Sequence, residues 1–468
     1  MANSATAREP ARWSLMEAIR GTQQDFTEGS ISRAVFLLAI PMMLEMCMES
    51  LFGIVNVFWV TRLGSDAVAT VGLTESMLSL VFSVAWGVSL STTAMVARRI
   101  GEKDPRGAAA AAGQAILLGV ALAAGMGLPG GLLAPRLLRL MGASGAVVSV
   151  GGRYAAIAIG GNVVVMLLFL NNAIFRGAGD ASTAMRALWM SNAINLVLDP
   201  CLIFGLGPFP KLGLTGAAIS TLVGRGVGVA YQLRVMTGDG GRVRVRAGDF
   251  NVIPKVMAAL VRVSVTGVAQ FAVGHTSWVA LVRFISAFGS IAVAGYTIGI
   301  RIFVFVLLPS WGLSGAAATM VGQNLGGRKP ERATRAVYLT SLYNAVFLCA
   351  AGAVFIAAPA WLVRVFTSDA AVAHHAVDCL RIIGLGNLGY AVGMVMVQAF
   401  NGAGDTLTPT VINVIGFWLC EVPLAWALAF YAGMQVRGVF LAIPISESLI
   451  TLMGLAMFLR GGWKKRRI

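Results

Sequence analysis

The sequence predicts an all-α polytopic membrane protein with twelve transmembrane helices in two six-helix lobes related by internal duplication. Three observations predict it: composition, a chain-long series of apolar runs, and a repeat at one constant offset. Of the 468 residues, 57% are hydrophobic and only 12% charged, about half the charged content of an ordinary soluble domain. The 56 glycines fit as well, because glycine is more frequent in membrane helices than in soluble ones.

A membrane-spanning helix needs roughly 20 predominantly apolar residues. Twelve runs meet that need: 34–60, 67–97, 111–135, 146–175, 183–207, 213–236, 256–287, 291–322, 336–360, 373–401, 408–432 and 437–460. The polar stretch 1–30 reads as a cytoplasmic tail without a signal-peptide core, in which Trp13 to Ile19 is either a short amphipathic surface helix or unstructured. The divisions that follow are an N-terminal lobe at 31–236, a basic cytoplasmic linker at 237–255, a C-terminal lobe at 256–460 and a basic tail at 461–468.

The net charge of +16 would suggest nucleic acid in a soluble protein. Here the basic residues lie in short loops between apolar runs, so topology and anionic head groups explain them and no nucleic-acid partner is expected. One set of loops holds Arg98, Arg99, Lys103 and Arg106, then Arg242, Arg244, Arg246 and Lys255, then Arg328, Lys329, Arg332 and Arg335, and the tail adds Lys464 to Arg467. The opposite loops hold scattered cases such as Arg62, Arg136 and Lys211. The positive-inside rule then places both termini in the cytoplasm of a bacterial inner membrane. The five cysteines all lie inside apolar runs, which argues against a disulfide framework or a metal site.

Shifting the chain by 225 residues aligns its halves. Trp86-Gly87 meets Trp311-Gly312, Gly101 meets Gly326, Gly161-Asn162 meets Gly386-Asn387, and Phe175-Arg-Gly-Ala-Gly-Asp180 meets Phe400-Asn-Gly-Ala-Gly-Asp405. Duplicated membrane halves of this kind are the architecture of alternating-access transporters, with the substrate site between them.

With the repeat in place, several blocks resemble one family. Ala39-Ile40-Pro41 in the first run, Val60-Thr-Arg-Leu-Gly64, the two Gly-Ala-Gly-Asp turns and Asn195-Leu-Val-Leu-Asp-Pro200 in the fifth run resemble the multidrug and toxic compound extrusion (MATE) transporters. The resemblance covers about residues 31–460. It implies two six-helix lobes, a cavity between them, and export driven by inward H⁺ or Na⁺ flow, with no other cofactor. It also implies a cation site in the N-terminal lobe. Asn195 and Asp199 match that site, and a hydroxyl of the sixth run belongs with them, Thr221 or alternatively Thr215. The chain departs at Val55-Asn56-Val57-Phe58-Trp59-Val60, where related sequences often read VDxFFVGRLG, so that Asn56 replaces the expected aspartate.

An ionisable group at the bilayer centre costs roughly 2.5–3.5 kcal/mol, so each such residue points to a cavity or a partner. In the first run, Glu49 lies about 40° and Asn56 about 20° from Glu45 around a helix of 3.6 residues per turn, so the three share a face. Asn195 and Asp199 are also on one face, and Pro200 frees a carbonyl one turn earlier. Asn56 cannot titrate, which points to a displaced coupling site using Asp199 with Glu49 or Glu45. The alternative for Glu45 is a neutral acid bonded to a neighbouring helix. In the C-terminal half, Gln270 replaces Glu45 in the repeat, and Gln270, Arg283 and Glu421 are the candidate substrate-cavity residues. Arg225 and Glu447 read as cavity groups or structural ion pairs, and His275 as a packing residue or a proton relay. Met42, Met43, Met46, Met48, Phe82 and Phe175 offer either an adaptable apolar cavity or plain packing.

The expected activity is secondary antiport of amphipathic, often cationic, small organic compounds by a protein functional as a monomer. The competing reading is a lipid-linked precursor flippase of a related fold, which would require a basic cavity for a diphosphate. No HExxH, GxSxG or Walker A motif occurs, so neither enzyme chemistry nor ATP-driven transport is indicated. The topology has a direct test. Single cysteines at Lys103 and Lys329 should be shielded from an impermeant thiol reagent in intact cells, and one at Lys211 should react. The reverse pattern would overturn the orientation.

Overall fold

The computed structural model describes residues 15–22, 24–238 and 240–466. Trp13 of the expected surface helix and Arg467 of the basic tail lie outside them. The first described element is a short helix, α1 (Leu15–Arg20), followed by α2 (Ile31–Thr61), α3 (Ser65–Gly101), α4 (Pro105–Leu140), α5 (Gly145–Gly160), α6 (Asn162–Ala178), α7 (Ala181–Phe204) and α8 (Leu214–Thr237). The second half comprises α9 (Pro254–Ser286), α10 (Ser290–Gly326), α11 (Pro330–Ala357), the short α12 (Pro359–Arg364), α13 (Ala370–Leu385), α14 (Asn387–Gly402), α15 (Leu407–Tyr431) and α16 (Gln435–Leu459).

Local chemistry sets the boundaries. Ser30, Asp104, Ser144, Asp180 and Asp369 each cap a helix through a side-chain oxygen. At the first Gly-Ala-Gly-Asp turn, Gly179 takes φ 83° and stops α6, while Asp180 caps α7. At the second, Gly404 takes φ 79° and Asp405 accepts from the Thr408 hydroxyl at 2.8 Å.

Among the described residues, ten helices are long and apolar enough to cross a membrane, counting α5 and α6 as one span. The pair α13 and α14, bent by 58° at Gly386, supplies an eleventh. Gly161-Asn162 and Gly386-Asn387 thus break the fourth and tenth spans at equivalent places. The twelfth is α8, whose hydropathy is lowered by Ser220, Thr221, Arg225 and Gln232. Of these, Ser220, Arg225 and Gln232 are buried, as required where no water can satisfy a polar group.

The halves exchange contacts: α2 packs on α10, α3 on α9, and α3 on α10. Gly87 lies against the Val268 backbone and Gly312 against the backbone of Met42 and Met43. Gly101 meets Gln323 and Gly326 meets Arg98, backbone to backbone. Each contact has its counterpart at the 225-residue offset, so glycine at these places lets paired helices approach as only small residues allow. Trp86 and Trp311, also repeat mates, stack at 5.1 Å with Phe271 against both.

The end carrying the basic loops is sealed further by residues 22–29. Arg242 donates to the carbonyls of Thr22 and Gln24 at 2.8 and 2.6 Å and stacks over Phe26. From the other half, Arg332 donates to Glu28 and Gly29 at 2.7 and 2.8 Å, and Lys329 to Thr27 at 3.0 Å. Phe26 itself is 1% exposed. Partial burial acts against ionised Asp25, but bonds from Thr27 and the charges of Lys103 and Lys329 outweigh it and hold the carboxyl below its usual range.

A side chain at Gly101 would collide with the Gln323 backbone. Gly101→Val should therefore lower the unfolding free energy of detergent-solubilised protein by about 1–3 kcal/mol. Unchanged stability would mean that the lobes do not meet at this seam.

Candidate cation and cargo sites

In the N-terminal lobe, α7 carries Asn195 and Asp199 one turn apart, both nearly fully buried. Ser220 of α8 donates its hydroxyl to Asp199 Oδ1. With the Asn195 amide nitrogen facing Asp199 Oδ2 at 2.9 Å, its oxygen accepts from the Thr221 N–H at 3.0 Å. Thr221 directs its own hydroxyl to the Ala217 carbonyl at 2.9 Å. Tyr154 of α5 lies within electrostatic reach of Asp199 and of Glu75 on α3. No Arg, Lys or His pairs with Asp199 among the described residues. The result is a buried carboxyl surrounded by neutral oxygen donors, a set suited to a proton or a hard monovalent cation.

The acidic stripe of α2 lies elsewhere. Glu45, 1% exposed, accepts from Asn172 at 2.9 Å and pairs with Arg176 at 3.6 Å, both on α6. Glu49 pairs with Arg225 of α8 at 3.0 Å and accepts from Asn192 of α7 at 3.3 Å. Both acids are thus bound into inter-helix ion pairs. Asn56 is half-buried and makes no side-chain hydrogen bond among the described residues. Glu45, Glu49 and Asn56 do share one helix, but none of them bonds to Asp199.

In the C-terminal lobe a cavity of about 460 Å³ is lined by Gln270, Phe271, Trp278, Tyr390, Glu421 and Glu447, among others. Glu421 lies near the Ser277 hydroxyl, and Glu447 near the Tyr390 phenol. The two carboxyls are close enough to repel each other, and among the described residues neither has an ion-pair partner. Pro423 lacks the N–H for a regular turn, and Val414–Glu421 just before it widens into a π-helical stretch ending on Glu421. Gln270 Oε1 is buried without a partner. His275 also borders the cavity, its ring 5.8 Å from that of Trp278. Arg283 does not belong to this site. It is exposed near the end of α9, where its guanidinium meets Ser286 at 3.5 Å.

A smaller cavity between the halves, about 50 Å³, is lined by Met42, Met46, Trp86, Arg176 and Trp311. Of the other apolar candidates, Phe175 is buried packing and Phe82 stacks edge-on with Phe169. Sequence reasoning missed Ser220, which neighbours the residue it named, and Tyr154. It also missed Arg176, which it read only as part of a turn.

The MatE family model matches residues 41–201 and 271–427, more than half of the chain and the same portion of each lobe. The chain belongs to the MATE family. Probable multidrug resistance protein NorM of Thermotoga maritima is 26% identical over 447 residues, 94% of either chain. A crystal structure of a MATE in complex with MaL6 superposes with a TM-score of 0.89 at 25% identity, covering 95% of this chain and 100% of that one. An outward-facing multidrug resistance MATE transporter of the MOP superfamily gives 0.88 at 25% identity, covering 95% and 99%. Family membership makes the chain a multi-pass membrane transporter.

In this MATE chain the Glu49–Arg225 pair joins α2 to α8, which has a measurable consequence. Glu49→Gln strands a buried guanidinium and should cost about 3–5 kcal/mol of stability. Adding Arg225→Met should recover most of that loss in the same unfolding measurement. A stable single variant would show that the pair does not hold α2 to α8.

Proposed function

We propose that the chain is a secondary antiporter that exports amphipathic, cationic organic compounds in exchange for inward H⁺ or Na⁺. The observation that carries this reading is the division of uncompensated buried carboxyls between the lobes: Asp199 in one, Glu421 and Glu447 in the other. Asp199 has neutral oxygen neighbours and takes the coupling ion, with Asn195, Ser220 and Thr221 as ligands or bond partners. The C-terminal cavity takes the cargo. Its aromatic walls receive the apolar body, and the two carboxyls receive the positive charge, which is worth most in a desolvated site.

With the basic end cytoplasmic, closure of the glycine seam and the 22–29 strap leaves the protein sealed on that side. Ion binding at Asp199 from outside neutralises its buried charge and lowers the cost of exposing the site inward. The differential affinity of the ion for the two arrangements then drives the change. A flippase reading fits less well, because the cavity within the C-terminal lobe presents carboxyls where a diphosphate needs cations, and Arg176 in the small cavity between the halves is engaged by Glu45.

Proteoliposomes loaded with a fluorescent lipophilic cation and given a Na⁺ or a pH gradient separately test the reading. One gradient should drive transport. Asp199→Asn should abolish the gradient response while the protein remains folded, and Glu421→Gln/Glu447→Gln should weaken cargo binding at least about tenfold, roughly the loss of one desolvated charge contact. Normal gradient-driven transport by Asp199→Asn would exclude Asp199 as the coupling residue.

A further inference from the structure

On the basic end of the N-terminal lobe a second cavity, about 680 Å³, opens between α1, the start of α7 and the end of α8. Arg20, Arg186 and Arg234 line it from these three elements, together with Tyr231, Gly238, Gly240 and Gly241. None of the three arginines has a carboxylate within ion-pair distance among the described residues. The one acid among the described wall residues, Asp180, is already engaged. Its oxygens accept from the Ser182 hydroxyl at 2.8 Å, the Thr183 hydroxyl at 2.7 Å and the Thr183 N–H at 3.2 Å. Arg186 reaches the same turn, donating to the Ser182 carbonyl at 3.3 Å and the Thr183 hydroxyl at 3.1 Å, and keeps donors to spare. Three cations therefore converge on a space large enough for a ligand, with one acid among the described lining residues.

We propose that this cavity binds a phosphate group, the chemistry shared by an anionic phospholipid headgroup and a free organic phosphate. Guanidinium groups match phosphate oxygens in pairs. Two observations place the cavity where a headgroup would reach it. It lies at the end of spanning helices α7 and α8. On α1, Leu15 and Met16 are 54% and 55% exposed while Ala18 is buried, so the helix that supplies Arg20 also offers an apolar face for acyl chains. The cavity wall includes Gly21 and Thr22, which lead from α1 into the strap gripped by Arg242, Lys329 and Arg332. A phosphate bridging Arg20 to Arg186 and Arg234 therefore fastens the strap to α7 and α8.

The test uses full-length, delipidated protein in detergent, with native mass spectrometry counting bound molecules. One arm titrates phosphatidylglycerol against phosphatidylcholine, and the other titrates glycerol 3-phosphate without lipid. Each of Arg20→Gln, Arg186→Gln and Arg234→Gln should weaken binding of the effective probe about fivefold. Arg335→Gln, on the same end but outside the cavity, should leave it unchanged. Saturable binding of phosphatidylglycerol alone, lost in the cavity variants, assigns the headgroup. Saturable binding of glycerol 3-phosphate, lost in the same variants, assigns a soluble phosphate. Binding that persists in all three variants, falls equally with Arg335→Gln, or is absent for both probes overturns the proposal. Each of these arginines is exposed and substituted singly, so folding of the variants is not in question.

Discussion

The cost of charge in a medium without water organises this molecule. Every intramembrane acid has to be paired, neutral, or part of a site that trades ions. Glu45 and Glu49 take the first course, through Arg176 and Arg225. Asp199, Glu421 and Glu447 have hydroxyl, amide or phenol neighbours but no cation among the described residues. On the proposed antiport, that difference separates scaffold from machinery more sharply than position along the helices does. Breaking a pair leaves an uncompensated charge, whereas neutralising an unpaired carboxyl removes a burden. The two groups should therefore respond to substitution in opposite ways, one in folding and the other in transport.

The ion pairs also hold geometry. Glu49 joins α2 to α8, and Glu45 joins α2 to α6, so α2 is fixed to its own lobe at two levels. Yet α2 also meets α10 of the other lobe at Gly312. The same helix is thus tied to its own lobe by charge and to the other lobe by glycine contact. The seam has no comparable ion pair among the contacts at Gly87, Gly101, Gly312 and Gly326. Its backbone approaches and the stacked Trp86 and Trp311 are short-range and non-directional, which suits surfaces that separate and re-form. The strap at the basic end adds directional bonds to carbonyls of residues 22–29, and those are the bonds an opening movement has to break.

Most of this architecture was legible in the sequence because its signals are one-dimensional. Apolar run length, loop charge and a constant offset need no knowledge of packing, and they gave twelve spans and the duplication. Asn195 and Asp199 were legible because residues four apart on a helix share a face. Ser220 was not, since adjacent hydroxyls at 220 and 221 differ by about 100° around α8 and only the docking of α7 decides which one meets Asp199. Arg176 and Arg225 were equally opaque as partners, because pairing across helices depends on axial register. The same limit explains Arg283, whose place near the end of a long helix turns it outward to Ser286. The resemblance to a family located the N-terminal site but carried no information on the Glu421 and Glu447 cavity, which is built from α15 and α16 and widened by the turn before Pro423.

Asn56 bears on what the N-terminal site can carry. An aspartate there would add a further titratable charge to α2, beside Glu45 and Glu49. With asparagine the site keeps only the Asp199 carboxyl. Under the proposed antiport, it can therefore neutralise one proton or one monovalent cation per cycle and no more. Glu45 and Glu49 cannot make up the difference without releasing Arg176 or Arg225, which would replace one buried charge with another. Any additional charge compensation has to come from the C-terminal lobe, where Glu421 and Glu447 sit close enough to influence each other. A cargo cation entering that cavity relieves their mutual repulsion, and its departure restores it. On the proposed antiport, the chain places a single-charge switch in one lobe and a two-carboxyl receptor in the other, and the exchange ratio follows from how many protons the second retains when the cargo leaves.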